Sequence, residues 1–107
     1  MKNDELITLN EVLNNGNRIY FYEDEVLGVW RAWGYSAYHL AHMTEIDCVT
    51  SFSERMQMPY TCITAVDFRA LYNKNMKSIE CKDGVYSLET DKCINPDLYK
   101  DWVTNLK

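Results

Sequence analysis

Chain-breaking residues are scarce in this sequence: two prolines and four glycines in 107 positions. With no Pro/Gly/Ser-rich tract there is no linker, no low-complexity segment and no internal repeat, so residues 1–107 are expected to form a single domain. No apolar run approaches the ~20 residues that a membrane helix needs. The start, Met1-Lys2-Asn3-Asp4-Glu5, has neither the basic nor the apolar stretch of an export signal. A cytoplasmic protein with no membrane partner is the expectation. Positive charge is also in short supply. Eleven Lys+Arg face sixteen Asp+Glu, a net charge of −5 and a pI near 4.9, which disfavours nucleic acid as a partner held by electrostatics. No phosphate-binding G-x-x-x-x-G-K-[ST] and no G-x-S-x-G nucleophile elbow occurs. Cys48, Cys62, Cys81 and Cys93 are 14, 19 and 12 residues apart, which fits no metal knuckle or redox pair. They are expected to be reduced and structural.

Aromatic residues, by contrast, are plentiful: fourteen in all, eight of them Tyr. Seven fall between Tyr20 and Tyr38. Leu6, Leu9, Val12 and Leu13 recur at helical spacing over residues 5–14, and Asn14-Asn15-Gly16-Asn17 supplies a stop. Arg18 to Tyr22 and Gly28 to Trp33 read as antiparallel strands around an acidic turn, Glu23-Asp24-Glu25. Alternation puts Val29, Arg31 and Trp33 on one face and Trp30 and Ala32 on the other. Tyr35 to Met43 changes to helical period, with either Tyr35, Tyr38 and His42 or Ala37, Leu40 and Ala41 aligned.

Glu45 to Phe52 and Tyr60 to Ile63 are predicted strands joined by a polar, Met-containing loop. Thr64 with Asp67 has the outline of a capping box opening a helix through Phe68 and Leu71 to about Asn75. Lys77 to Cys81 and Val85 to Leu88 flank Lys82-Asp83-Gly84, a hairpin signal. Asn95-Pro96-Asp97 starts a last helix in which Leu98, Trp102 and Leu106 form the predicted buried stripe. The order αββαββαββα predicts an α/β (α+β) domain, a mixed β-sheet with helices packed on it.

Residues 18–80 resemble the N-terminal domain of the MutS mismatch-repair proteins and small stand-alone relatives of that domain. Where the family has Gly-Asp-Phe-Tyr-Glu-Leu-Phe before a helix beginning near Asp-Asp-Ala, this chain has Val29-Trp30-Arg31-Ala32-Trp33 and then Tyr35-Ser36-Ala37. Where the family has a Pro-Met-Ala-Gly-Ile-Pro-Tyr-His-Ala-Val-type strand and turn, this chain has Met58-Pro59-Tyr60-Thr61-Cys62-Ile63-Thr64-Ala65-Val66 before Asp67-Phe68-Arg69-Ala70-Leu71. The resemblance implies the family's fold. It also implies a Phe-x-Glu pair that reads mismatches, and those positions fall at Val29 and Arg31. Val cannot stack on a base and Arg cannot accept its hydrogen bonds, so the family's reading mechanism is not expected here.

Candidate chemistry is thin. His39 and His42 share a helical side and are weak metal candidates if Glu45 or Asp47 supplied a third ligand. No catalytic residue and no cofactor is expected, and Glu23 to Glu25 read as a solvated turn. Most rings are expected in the core. The candidate binding surface is Trp30, Arg31, Trp33, Tyr35 and Tyr38, since Trp, Tyr and Arg anchor interfaces. The expected function is a non-catalytic interaction module that binds a protein partner or self-associates. Two alternatives stand beside it: a nucleic-acid-binding accessory using Trp or Tyr with Arg18, Arg31, Arg55 and Arg69, and an enzyme whose acid–base pair is assembled from distant positions.

Overall fold

A computed structural model describes residues 3–14, 16–43 and 46–107. Ten elements follow one another as α1 Asn3–Leu13, β1 Arg18–Asp24, β2 Val29–Trp33, α2 Tyr35–Ala41, β3 Val49–Ser53, β4 Met58–Thr64, α3 Ala65–Lys74, β5 Ile79–Lys82, β6 Val85–Glu89 and α4 Pro96–Leu106. The fold is α+β, in the order expected. The six strands form one sheet, β3-β4-β2-β1-β6-β5. Read from the sequence as mixed, it is antiparallel at every pairing.

Local signals explain most boundaries. Thr64 caps α3, its Oγ1 accepting from the Asp67 N–H at 3.1 Å. The Asn95 side chain accepts from the N–H groups of Asp97 and Leu98 ahead of Pro96. Asp83 and Gly84 both take positive φ, 55° and 80°, the backbone of a two-residue type I′ hairpin turn. Asn95→Ala and Thr64→Ala should each lower stability by about 1 kcal/mol. A shift of the urea midpoint at unchanged slope would register this, and no shift in either variant would contradict the caps.

The strand alternation sorts the rings into two cores. Ile19, Phe21, Trp30, Ala32, Ile63 and Leu88 face α2 and α3, meeting Leu40, Phe68 and Leu71. Tyr22, Trp33 and Val85 face the other way and meet Ile7 of α1. Trp30 stacks on Phe68 with centroids 3.9 Å apart and planes 10° apart. Among the described residues no helix is long and apolar enough to cross a membrane.

Four expectations need correcting. β3 begins at Val49, and Glu45 lies outside the described residues. Asp24 is no solvated turn residue. It ends β1, pairs with Arg31 at 2.5 Å, and its Oδ1 accepts from the N–H groups of Val26 and Leu27. The Leu27 bond first, then the Arg31 guanidinium and the Val26 bond, hold its carboxyl below the usual carboxylate range. Among the cysteines, Cys48 and Cys62 are half-buried but Cys81 and Cys93 are exposed. In α4 no residue is buried, and Leu98 is exposed. Its covered side is Tyr99, Trp102, Val103 and Leu106, with Tyr99 against Tyr35 and Trp102 against Tyr38.

Candidate functional site

α1 covers polar as well as apolar side chains and leaves three aliphatic ones exposed. Ile7, Asn10, Glu11 and Asn14 recur at three- and four-residue steps and face the sheet and α2. Leu9, Val12 and Leu13 share the opposite face and are 48%, 75% and 66% exposed. What holds the helix this way is a polar network. Asn10 donates to the Tyr22 hydroxyl at 2.9 Å, and Asn14 donates to the Arg18 carbonyl at 3.0 Å while accepting from the Gly16 N–H. Asp4 forms an ion pair with Arg55.

Glu11 is the centre of this network. Its Oε2 accepts from the Ser36 hydroxyl at 2.7 Å, and its Oε1 accepts from the Ser36 N–H at 3.3 Å. Ser36 is completely buried, and its Oγ also accepts from the Tyr20 N–H at 2.9 Å. The carboxylate does for α2 what a capping side chain would do, because the N-cap of α2 is Gly34, which has no side chain to offer. Gly34 has φ 58°, and a Cβ there would sit 3.0 Å from Glu11 Oε1. Glycine is required both for the backbone and for the approach of the carboxylate. Burial pushes the Glu11 carboxyl up from 4.5 to about 7, although bonds from Ser36 and Asn14 pull the other way. Burial also raises the Tyr22 and Tyr99 hydroxyls, with the Glu11 charge adding to both; Tyr99 reaches about 12. Glu11 lines a groove of about 320 Å³ together with Thr8, Val12, Tyr35, Met56, Met58 and Tyr99.

No protein-family model, no curated protein and no solved structure matches this chain. The site must therefore be read from its own chemistry. Ser36 cannot act as a nucleophile on an outside substrate, being wholly enclosed with its hydroxyl hydrogen on Glu11.

The five candidate surface residues do not form one surface. Trp30 is buried in the α2/α3 core and Trp33 in the α1 core, as their alternation requires. Arg31 is tied to Asp24 and lies 5.8 Å from the Tyr60 ring. Tyr35 and Tyr38 do come together, but under α4, against Tyr99 and Trp102. Of the four arginines considered for phosphates, Arg18 pairs with Glu80 and Glu89, Arg31 with Asp24 and Arg55 with Asp4, while Arg69 is exposed.

His39 is buried, and burial lowers its imidazolium below the usual 6.5. Its neutral ring donates from Nε2 to the Gly16 carbonyl at 2.5 Å. His42 is exposed, stacks on Tyr38 with centroids 4.2 Å apart, and has Nδ1 2.7 Å from the Tyr38 carbonyl. Both line a cleft of about 750 Å³ that also reaches Lys77, Lys92 and Cys93. Asp47 is exposed, and among the described residues no three His, Cys, Asp or Glu side chains gather as a metal set.

Sequence reasoning missed Glu11, Asn14 and Ser36. A signal existed: the polar stripe Asn10, Glu11, Asn14 has the same period as the apolar one. Nothing local says which of the two stripes faces inward.

Proposed function

We propose that this chain is a non-catalytic interaction module that docks a partner protein through the outer face of α1. One observation carries the reading: Leu9, Val12 and Leu13 lie on the solvent side of α1, while Asn10 and Glu11 share its inward side with Ile7 and Leu6. Folding alone favours the reverse, since burying an aliphatic side chain is worth about 1.5–3 kcal/mol and enclosing a carboxylate is costly. The contact surface on this reading is aliphatic rather than the Trp and Tyr set. The resemblance of residues 18–80 to the MutS N-terminal domain belongs to the same reading, with the mismatch-reading positions occupied by Val29 and by an Arg31 engaged with Asp24. Four unpaired cysteines favour a reducing, cytoplasmic setting.

A photo-crosslinking side chain at Val12 tests this against the same probe at Val66 on α3, because the two are equally open, 75% and 78%. Irradiation in cells should give protein adducts from position 12 and few from position 66. Equal yields at the two positions would remove the basis for the reading.

A further inference from the structure

The groove lined by Glu11 opens beside the Leu9, Val12 and Leu13 ridge, with Val12 shared between them. Its 320 Å³ is at the small end for ligand sites and suits one long side chain. Its walls, Met56, Met58, Tyr35, Tyr99 and Val12, are apolar apart from hydroxyls. Methionines adapt readily to an inserted stem.

α1 brings only acidic charge to it, and the cation beside it, Arg55, whose Nη1 lies 3.5 Å from the Met56 sulfur, is already paired with Asp4. α1 carries Asp4, Glu5 and Glu11 and no basic residue. Among the described residues Glu11 has no ion pair. The groups interacting with it are Asn14 just after its own helix, Tyr22 on β1, Tyr35 and Ser36 on α2, and Tyr99 on α4. None of these is a cation. Its carboxylate accepts from the Ser36 hydroxyl and N–H, from Asn14 and from the Tyr35 N–H, and all of these donors are uncharged. Glu11 is therefore, among the described residues, an acid without an ion-pair partner in a groove whose other walls are largely apolar.

We propose that this groove takes a lysine or arginine side chain projected by a partner helix lying along Leu9, Val12 and Leu13, its methylenes against Met56, Met58 and Tyr99 and its charge on the Glu11 carboxylate. The inference rests on the interaction reading above and names the chemistry of the partner: a basic amphipathic helix. Long cationic side chains bury their stems while the head seeks a charge. A second copy of this chain fits less well, because a two-fold contact through α1 sets one all-acidic helix against another.

The test uses a synthetic amphipathic peptide of roughly four helical turns with leucine and lysine at helical spacing, and a matched leucine/glutamine peptide. Binding to the full chain is measured by calorimetry at pH 7 and physiological salt, in two buffers of different ionisation enthalpy. The lysine peptide should bind at least tenfold more tightly than the glutamine peptide. It should displace about half a proton from a carboxyl that titrates near 7, and Glu11→Gln should remove both the preference and the proton. A general attraction to an acidic surface would be screened by salt and would release no proton. Peptide binding lost in Leu9→Ser/Val12→Ser but unchanged in Glu11→Gln, with no proton released, would overturn the cation site and leave the ridge standing. Ridge variants that bind like the unaltered chain would overturn both. So would the absence of any peptide binding in a chain that self-associates by light scattering.

Discussion

Trp30→Ala should lower stability by about 3–5 kcal/mol, the range for removing a large buried ring. The ring is 8% exposed, lies nearly parallel to Phe68 and meets Tyr86 edge-on at 5.4 Å. It stands on β2, inside the sheet between β4 and β1, so the strands on either side leave little freedom to close the cavity. Against a total of roughly 5–15 kcal/mol for a domain, the loss is large enough to leave a measurable unfolded fraction. Urea unfolding followed by circular dichroism gives the figure. Val66→Ala, 78% exposed, is the control and should stay within about 0.5 kcal/mol. A Trp30→Ala chain as stable as the control would mean that the ring is not in the core, and the surface role considered for it would return. Trp30→Phe should lose less, because the stacking partner remains.

The order of the ten elements was legible because each boundary has a local cause. Thr64 and Asn95 accept from N–H groups two or three residues away, Asp83-Gly84 takes the positive φ of a tight turn, and alternation told Trp30 from Trp33. Orientation was less legible. α4 shows why: at about 100° per residue on a helix of 3.6 residues per turn, Leu98, Trp102 and Leu106 span about 80° and Tyr99, Trp102, Val103 and Leu106 about 100°, with centres only about 50° apart. Which band is covered depends on Tyr35 and Tyr38, more than sixty residues earlier. α1 has the same ambiguity between two stripes of equal period, decided by Ser36 and Tyr22. The candidate site is therefore the part that sequence reading missed, since Glu11 matters only through a residue 25 positions away.

Glu11→Gln should make the chain more stable than the unaltered protein at pH 8, by up to about 3 kcal/mol, and by less than about 1 kcal/mol at pH 5. The carboxyl titrates near 4.5 when exposed and near 7 in the fold. The folded state thus holds a proton that the unfolded chain has already released between those two values. Its contribution is present in full below about pH 4.5 and is lost as pH rises through 7, a difference of at most ~3 kcal/mol at 1.36 kcal/mol per pH unit. Glutamine resembles the protonated acid and keeps an oxygen for the Ser36 hydroxyl or N–H, without the cost of an enclosed charge. His39 works in the opposite direction, its lowered imidazolium making the fold gain as pH rises past its folded value towards 6.5. The informative quantity is therefore the difference between variant and parent at each pH, in which His39 cancels. Urea midpoints at pH 5, 6, 7 and 8 give that difference, and it should grow between pH 5 and 7 and level off above 7. A flat difference would show that Glu11 is an ordinary surface carboxylate. A Glu11→Gln chain that is less stable at every pH would show instead that the bonds to Ser36 outweigh the burial of charge, and the need for a cation from a partner would go with it.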